Sequence, residues 1–453
     1  MEYELIGERL GYSFSKEIHE KLSPCSYELR EIAREDLDNF LKQKEFLGIN
    51  VTIPYKEAVL PYLDEIAPEA RSIGAVNTIV RDGDRLRGFN TDYYGFLALA
   101  EKAGIDFAGR EVLILGAGGA AKTVHAVATD RGAARITHAV RTPKAPGQVG
   151  LGELKPGSGY EIIVNCTPVG THPRDEESPV DLGLFPRLKG VLDLVYNPLR
   201  TRLVLDAQER GIPAEGGLYM LVAQAVQARR FFDASLDTDR CPAEPPASTW
   251  APSAAADKLS AQRMTPDARM DEAHCRRQPA GPDSVSTLFN DILGSKRNLV
   301  LIGMPSSGKT TLGQALADRS ARPFFDTDRL IVEKAGKPIP RIFAEDGEPA
   351  FRQIEAEVIR DLSQRNGLVI ATGGGAILNP DNVRRLRHNG LICRIDRDLE
   401  RLSPSSDRPL ASDLEKMRAL YQKRREAYLR ATDCRIDNNG PLEDALAQLQ
   451  ALI

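Results

Sequence analysis

Two segments of this chain share the same local order, yet their loops differ. Each has a short apolar run, a loop of small residues and a stretch that favours a helix. The first is EVLILGAGGAAKTVHAVA, which begins at Glu111, and the second is NLVLIGMPSSGKTTLG, which begins at Asn298. Apolar runs of this length are typical of buried parallel strands. Because each strand–loop–helix segment needs a parallel sheet to bury it, the sequence predicts at least two α/β domains.

The first loop, Gly116 to Ala121, fits the pattern G-x-G-x-x-A. Gly116 permits a tight turn, Gly118 lets the backbone approach a pyrophosphate, and Ala121 allows the helix to pack closely on the strand. A plain tight turn is the alternative, but the strand before it and the helix after it favour dinucleotide binding. The predicted cofactor-binding residues of this loop are Gly116, Ala117, Gly118, Gly119 and Ala120.

The residues that follow the next apolar run indicate which dinucleotide this is. A site for NAD has an acidic residue at the end of the second strand. This chain has HAVRTPKA there, with Arg141, Thr142 and Lys144. Since arginine pairs well with a 2′-phosphate, the sequence favours NADP. Solvated loop charges are the alternative.

The second loop, Gly303 to Thr310, fits G-x-x-x-x-G-K-[ST]. In this pattern the backbone N–H groups surround phosphates, the lysine reaches the terminal phosphates and the final hydroxyl ligates Mg²⁺. We therefore predict ATP and Mg²⁺ as ligands, against the alternative of a glycine loop with a chance lysine. The predicted nucleotide contacts are Gly303, Ser306, Ser307, Gly308, Lys309, Thr310 and Thr311.

The composition and the pattern of apolar residues along the sequence divide the chain into four predicted parts. Short apolar runs alternate with amphipathic segments up to about residue 235 and again from about residue 286. The stretch between them is rich in Pro, Ala, Ser, Asp and Arg, contains Trp250, and lacks the apolar residues needed to form a core. The predicted parts are a first α/β domain (1–100), a Rossmann domain (101–235), a flexible linker (236–285) and a P-loop α/β domain (286–453).

Composition narrows the classes of partner. The net charge is −4 and the pI about 6.0, so nothing indicates a nucleic-acid or membrane partner. The first residues, MEYELIGERLG, lack the basic start and long apolar run of a signal peptide. The six cysteines are scattered without a C-x-x-C pair. We therefore expect a reduced, cytoplasmic protein.

Polar side chains cluster in three peptides of the first hundred residues. A Lys and an Asp beside hydroxyl and amide groups form a suitable acid–base pair for hydride chemistry on a polyol. Helix caps and surface charges are the alternatives for each residue alone. The candidates are Ser13, Ser15, Thr52, Lys56, Asn77, Asn90, Thr91 and Asp92.

The P-loop part has a second set of candidates. Asp326 and Asp328 follow a short strand, where a carboxylate suits a metal or a hydroxyl nucleophile. Arginines suit a carboxylate and phosphates, and consecutive glycines let the backbone approach a small ligand. Surface charges and a simple turn are the alternatives. The further candidates are Arg352, Gly373, Gly374, Gly375, Arg408 and Arg424.

The first half resembles shikimate dehydrogenase in motifs that cover it in family order: YSFSK, NVTIPYK, IGAVNT, GFNTD, GAGGAA, NCTPVG, DLVYNP and GGLYMLVAQA. The resemblance implies reversible NADP-dependent reduction of 3-dehydroshikimate to shikimate, with Lys56 and Asp92 as the catalytic pair. It places Tyr196 and Gly217 at the junction of cofactor and substrate. The implied substrate-binding residues are Ser13, Ser15, Thr52, Asn77, Asn90, Thr91, Tyr196 and Gln224.

Two positions depart from the dehydrogenase family. The Asn-Arg-Thr cofactor motif is Val140-Arg141-Thr142 here, which loses one hydrogen-bonding side chain but keeps the arginine. The Gly-Met that follows the second Asn-x-Thr is Gly170-Thr171, which removes an apolar wall near the nicotinamide. Both departures concern cofactor affinity more than the type of reaction.

Residues from about 286 to 453 resemble shikimate kinase over nearly their whole length. The resemblance places Asp326 and Thr310 at the metal and makes Lys309 and Asp328 catalytic, with Asp328 beside the substrate hydroxyl. Arg408 would lie in the lid over ATP, and the lid segment RLSPSSDRPL is short and rich in serine. The implied shikimate-binding residues are Arg352, Gly373, Gly374, Gly375 and Arg424.

The two resemblances together predict a bifunctional enzyme of aromatic amino-acid biosynthesis. The first half would make shikimate, and the second would convert it to shikimate 3-phosphate. A dehydrogenase that uses quinate is one alternative, and a regulatory protein whose halves only sense metabolites is another. Because the linker has the composition of a flexible coil, we expect the two halves to be separable.

Overall fold

The computed structural model describes residues 3–11, 13–23, 26–236, 282–402 and 414–453. Most of the predicted linker, including Trp250, and Arg408 lie outside these residues. The first of two compact units comprises Met1–Lys102, Ala117–Gly132 and Tyr219–Asn290. The second comprises Ala103–Gly116, Ala133–Leu218 and Asp291–Ile453. The units group the chain differently from the four predicted parts, whose boundaries stay predictions.

The strands of the described residues fall into three sheets. In chain order they are β1 (Tyr3–Gly7), β2 (Tyr27–Glu31), β3 (Gly48–Val51), β4 (Glu65–Ile66), β5 (Thr78–Asp82), β6 (Arg85–Phe89), β7 (Glu111–Leu115), β8 (Arg135–Val140), β9 (Gln148–Gly150), β10 (Ile162–Asn165), β11 (Gly190–Asp193), β12 (Ala214–Glu215), β13 (Asn298–Ile302), β14 (Phe324–Asp326), β15 (Val369–Ala371), β16 (Gly390–Asp396) and β17 (Cys434–Asp437).

The α-helices connect and cover these strands. In chain order they are α1 (Ser15–Leu22), α2 (Leu37–Gln43), α3 (Pro68–Ile73), α4 (Thr91–Lys102), α5 (Gly119–Asp130), α6 (Arg202–Glu209), α7 (Leu218–Leu236), α8 (Pro282–Lys296), α9 (Lys309–Ser320), α10 (Thr327–Ala335), α11 (Ile339–Glu345), α12 (Gly347–Ser363), α13 (Pro380–Asn389), α14 (Leu414–Ala431) and α15 (Leu442–Gln450). Within the described residues, no helix is both long and apolar enough to cross a membrane.

The first unit contains a mixed six-stranded sheet in the order β2-β1-β3-β5-β6-β4. β1 is parallel to both of its neighbours, whereas β5 is antiparallel to β3 and to β6. β5 and β6 form a hairpin, and the pairing of Asp82 with Arg85 leaves Gly83 and Asp84 as its loop. Gly83 has φ +59°, which explains why a glycine stands there.

The second unit contains two fully parallel sheets. The order β12-β11-β10-β7-β8-β9 is that of a doubly wound Rossmann sheet, and the other sheet has the order β14-β15-β13-β16-β17. β7 and β13 lie inside their sheets, and each ends directly before one of the two glycine loops. The predicted α/β class with two nucleotide-type loops is therefore confirmed.

The residue pattern of β13 shows how the sequence specifies a strand that lies inside a sheet. Leu299 and Leu301 pack in one hydrophobic cluster, and Val300 and Ile302 pack in another on the opposite face. All five residues of the strand are buried. A strand covered on both faces must be apolar at successive positions, which is the signal that the sequence carries.

Candidate active sites

The predicted acid–base pair of the first unit is in contact. Lys56 Nζ lies 2.5 Å from Asp92 Oδ2, and the side chains are only 21% and 15% exposed. Lys56 follows β3 in an irregular segment, and Asp92 lies in the first turn of α4. The alternative that Asp92 only caps this helix does not fit, because the helix already begins at Thr91.

Amide and hydroxyl groups form a buried network in the same unit. Asn77 Oδ1 accepts a hydrogen bond from the backbone N–H of Thr91 at 2.7 Å. The Thr91 hydroxyl in turn lies 3.2 Å from Gln224 Oε1 on α7. Asn90 donates its amide to the carbonyl of Ala75 at 2.9 Å, and its buried Oδ1 has no hydrogen-bond partner among the described residues. Three segments that are distant in sequence thus place the predicted polar residues together.

Ser13, Ser15 and Thr52 have simpler surroundings. Ser13 Oγ accepts a hydrogen bond from the backbone N–H of Ser15 at 3.2 Å, and the two hydroxyls lie 3.1 Å apart. This contact lies just before α1, whose N-cap position is Phe14, so neither serine is the N-cap considered as an alternative from the sequence. Thr52 directly follows β3 and is half-buried. The substrate contacts of these three residues stay predictions.

The first glycine loop has the backbone geometry that its pattern requires. Gly116 has φ +111°, and Gly118 precedes the first residue of α5. A Cβ added at Gly118 or Gly119 would meet no atom within 4 Å, so the backbone N–H groups of the helix start are accessible to an anion. His138 on β8 lies with Nδ1 2.9 Å from the carbonyl oxygen of Gly116. His138 supports the loop and was missed in the sequence analysis.

The start of α5 also lies beside the segment that carries Lys56. Lys122, in the first turns of this helix, forms an ion pair with Glu57 at 2.6 Å. Glu57 is the neighbour of Lys56 in sequence. Within the first unit, the helix of the glycine loop and the acid–base pair are therefore close.

The predicted 2′-phosphate residues follow β8 directly. Arg141, Thr142 and Lys144 are all exposed, and the backbone N–H of Lys144 donates to Gln148 Oε1 at 2.9 Å. An exposed arginine at the carboxyl end of the second Rossmann strand fits an adenosine 2′-phosphate. The loop and this arginine together fit a phosphorylated dinucleotide.

Polar groups at the ends of β10 and β11 form a network that sequence reasoning did not single out. Asp193 accepts hydrogen bonds from Asn165 at 2.9 Å and from Thr201 at 2.6 Å. Burial raises the pKa of Asp193 to about 7, against the opposing effect of these hydrogen bonds. Tyr196, in the loop that follows β11, is half-buried. A Cβ at Gly217 would approach the carbonyl oxygen of Leu194, so close backbone packing alone requires this glycine.

The second glycine loop folds around its own lysine. Lys309 Nζ donates to the carbonyls of Gly303 and Met304 at 3.0 and 2.9 Å. Gly308, at φ +95°, directly precedes α9. Asn438 Nδ2 donates to the carbonyl of Ser307 at 2.8 Å and supports the loop from the strand β17 side. Asn438 is a further residue without a local sequence signal.

The two predicted metal-binding side chains meet beside this loop. The Thr310 hydroxyl donates to Asp326 Oδ2 at 2.7 Å. Asp326 also caps α10 by accepting from the backbone N–H of Asp328 at 3.0 Å. Mg²⁺ usually takes only one or two protein ligands and keeps several waters, so this pair fits it. The described residues contain no larger group of metal-type ligands.

The predicted shikimate-binding residues converge on the turn Gly373–Gly375. A Cβ added at Gly373 would lie 2.6 Å from Asp328 Oδ1, and one at Gly375 would lie 2.8 Å from an Arg352 guanidinium nitrogen. A Cβ at Gly374 would lie 3.4 Å from Arg424 Nη1. The absence of side chains at these glycines therefore lets one carboxylate and two guanidinium groups pack closely against the turn.

Two residues beside this turn were missed. Glu355 is 1% exposed and holds Arg352 at 2.8 Å, while its other oxygen is buried and has no hydrogen-bond partner in the part of the chain that the structure describes. Burial raises the pKa of Glu355 against the attraction of Arg352. Tyr428 OH lies 2.9 Å from the Gly303 carbonyl and 2.7 Å from that of Gly374. Glu355 is three residues from Arg352 on one helix, and that spacing could have indicated it.

The fold and these sites define an enzyme with two nucleotide-type sites, one on a Rossmann sheet and one on a P-loop sheet. The model of the shikimate dehydrogenase substrate-binding domain matches residues 5–79, and that of shikimate kinase matches residues 305–452. The chain belongs to the shikimate dehydrogenase family, and its C-terminal part is a shikimate kinase domain.

Curated relatives match the first half. Shikimate dehydrogenase (NADP(+)) of Clostridium perfringens is 36% identical over an alignment of 246 residues, and the match covers 51% of this chain and 91% of the relative. The protein of the same name from Symbiobacterium thermophilum is 43% identical over an alignment of 206 residues, and that match covers 41% of this chain and 70% of the relative. The chain is thus an oxidoreductase of the shikimate pathway joined to a phosphotransferase.

Solved structures match the same region. A chorismate mutase/shikimate 5-dehydrogenase fusion protein from Clostridium acetobutylicum has 37% identity and a TM-score of 0.49, over 51% of this chain and 90% of that chain. Shikimate 5-dehydrogenase from Thermus thermophilus, in complex with NADP(H) and shikimate, has 35% identity and a TM-score of 0.46, over 51% and 93%.

Proposed function

We propose that this single chain performs two consecutive reactions. The first half reduces 3-dehydroshikimate to shikimate with NADPH, and the second phosphorylates shikimate to shikimate 3-phosphate with ATP and Mg²⁺. One observation supports the proposal of two working sites: in each, the side chain proposed to react contacts a group that the proposed chemistry needs. Lys56 contacts Asp92 in one site, and Asp328 lies at the glycine turn beside the phosphate loop in the other. A protein that only senses metabolites has no need of either arrangement.

In the dehydrogenase site, the role of the protein is to hold the substrate and to move one proton. Bound NADPH supplies the hydride to the carbonyl carbon. The Lys56 ammonium donates a proton to the carbonyl oxygen as charge develops there, and Asp92 holds the lysine in position. Asn77, Thr91 and Gln224 provide amide and hydroxyl groups for the ring hydroxyls of the substrate. Arg141 selects the cofactor through its 2′-phosphate.

In the kinase site, positioning and charge stabilisation dominate, as is usual for phosphoryl transfer. Arg352 and Arg424 hold the carboxylate of shikimate over the glycine turn. Asp328 accepts the proton of the attacking hydroxyl, and Lys309 stabilises negative charge on the phosphoryl oxygens. Thr310 and Asp326 would hold the Mg²⁺ ion, which would neutralise negative charge on the phosphates.

Two assays on one preparation of the full chain test this proposal. We expect oxidation of NADPH when 3-dehydroshikimate is added, and release of ADP when shikimate and MgATP are added. The alternative dehydrogenase substrate is tested in the reverse reaction, in which NADP is the oxidant and quinate takes the place of shikimate. Failure of either assay with correctly folded protein would contradict the proposed bifunctional activity, and a preference for quinate would replace the substrate assignment.

Replacing Arg141 with alanine should raise the KM for NADP far more than the KM for NAD. A hydrogen bond to a charged group contributes roughly 1.5–3 kcal/mol, so the expected effect is about ten- to a hundred-fold. Steady-state kinetics with both cofactors measure it. Arg187→Ala is a matched control, because Arg187 is also exposed but precedes β11, which lies on the other side of β7 from β8 in the sheet. Equal effects of Arg141→Ala on both cofactors would indicate a structural role instead.

A further inference from the structure

The loop that follows β11 in the Rossmann part packs against the kinase part, and both belong to the second compact unit. We call residues 197–201 the docking loop. The backbone N–H of Arg200 donates to the carbonyl of His388 at 2.9 Å. His388 Nδ1 lies 2.8 Å from the carbonyl oxygen of Arg200. Because that carbonyl can only accept, Nδ1 of His388 carries the proton in this contact.

The side chain of Arg200 caps a kinase helix. Its Nε donates to the carbonyl of Arg387 at 2.9 Å, and one terminal nitrogen donates to the carbonyl of Gly390 at 2.5 Å. Arg387 lies in the last turn of α13, where carbonyl groups have no partner within the helix. A cation at this end also interacts favourably with the helix dipole. The Rossmann part therefore supplies a cap that α13 needs.

A second buried contact lies beside the first. The backbone N–H of Leu199 donates to Asn389 Oδ1 at 2.8 Å, and Asn389 Nδ2 donates to the carbonyl of Ser363 at 3.0 Å. Asn389 is 3% exposed and His388 is 1% exposed. Buried polar groups are costly without partners, so separation of these surfaces would leave several of them unsatisfied unless water entered.

Charged groups surround this buried centre. Arg385 on α13 forms an ion pair with Glu176 at 2.5 Å, and Arg384 lies 4.0 Å from Glu209. Each of these two pairs joins an arginine of the kinase part to a glutamate of the Rossmann part. Such charge complementarity at the rim of a buried centre is typical of specific interfaces.

The docking loop is also held firmly on its own side. Thr201, which is 1% exposed, donates its hydroxyl to Asp193 at the end of β11 and caps α6. The loop is therefore a fixed surface rather than a mobile connection. The Clostridium perfringens relative is matched over 91% of its length by 51% of this chain. The kinase part is additional to the region shared with this relative. It contacts the Rossmann part at the docking loop.

We propose that the kinase part docks on the Rossmann part of the same chain through the docking loop, with Arg200 as the cap of α13. The two halves are then held together by this interface as well as by the chain between them. This contact does not fit the expectation, drawn from linker composition, that the halves are simply separable. The proposal concerns assembly and does not depend on the catalytic roles proposed above.

Hydrogen–deuterium exchange on the full chain tests the interface directly, because the amides of Leu199 and Arg200 both donate across it. We expect both amides to be protected in the wild-type protein. Asn389→Ala and Arg200→Ala should each speed exchange at these amides by at least about tenfold. Arg200→Lys should not restore protection, since an ammonium group cannot reproduce the guanidinium fork. Rapid exchange of both amides in the wild-type protein would overturn the proposal.

Arg210→Ala is the matched control, because Arg210 is an exposed arginine of the same part whose ion pair with Asp181 is 3.7 Å long. It should leave exchange at Leu199 and Arg200 unchanged. A second measurement leaves every residue of the interface unchanged. A site-specific protease sequence placed between residues 245 and 265 allows the otherwise wild-type chain to be cut after folding. We expect the two fragments to co-elute in size-exclusion chromatography, and their separation would refute the docking.

Discussion

Lys56→Ala is expected to lower the turnover of 3-dehydroshikimate reduction by about 10²–10⁴-fold, the usual contribution of a positioned general acid. The lysine is partly buried and 2.5 Å from Asp92, so another cation or bulk water is poorly placed to replace it. Kinase activity of the same preparation should stay near the wild-type value. The measurement is a pair of steady-state assays, with NADPH oxidation for one site and ADP release for the other.

Lys42→Ala serves as the control for the loss of a lysine from the same unit. Lys42 is 67% exposed and pairs with Asp38 at 2.9 Å, four residues earlier on α2. We expect it to change neither activity. If Lys56→Ala abolished both activities in a folded protein, the assignment of two separate sites would be wrong. If it left reduction intact, the proton would have to come from another group.

The parts of the fold that could be predicted are those whose signal is local. The glycine loops, the strands before them and the hairpin at Gly83 are each specified by a few neighbouring residues, because turn geometry and strand burial act over short distances. The Thr310–Asp326 contact could be predicted for the same reason, since Thr310 ends a recognised loop and Asp326 ends a short strand.

The parts that could not be predicted join residues that are far apart in sequence. Arg200 and His388 are separated by 188 residues, and neither belongs to a motif that indicates a partner. Cys393 and Cys434 seemed scattered, yet β16 and β17 pair them in register and place their sulfur atoms 3.1 Å apart. Such contacts depend on sheet order and domain packing, which spacing and composition do not encode.

The supporting residues of the sites form a third class. His138 and Asn438 each hold a glycine loop by a hydrogen bond to its backbone. A backbone carbonyl can accept a hydrogen bond from any suitable donor, so the loop sequence does not identify the side chain that donates this hydrogen bond. Family resemblance assigned roles to the residues that would touch substrates, but it left out the ones that hold those residues in place.

Lys309→Ala is expected to lower the phosphorylation of shikimate by about 10²–10³-fold, by analogy with removal of one preorganised donor from a charged transition state. The ammonium group now contacts the carbonyls of Gly303 and Met304, so it lies within the loop that would surround the phosphates. Dehydrogenase activity should be unchanged, which also shows that the chain is folded.

Lys334→Ala, which removes a half-exposed lysine paired with Glu357 at 2.9 Å, is the matched control. Because Lys309 also supports the loop, binding of shikimate alone should be measured by calorimetry in both variants. Retained kinase turnover in Lys309→Ala would show that the second glycine loop does not bind the transferred phosphate.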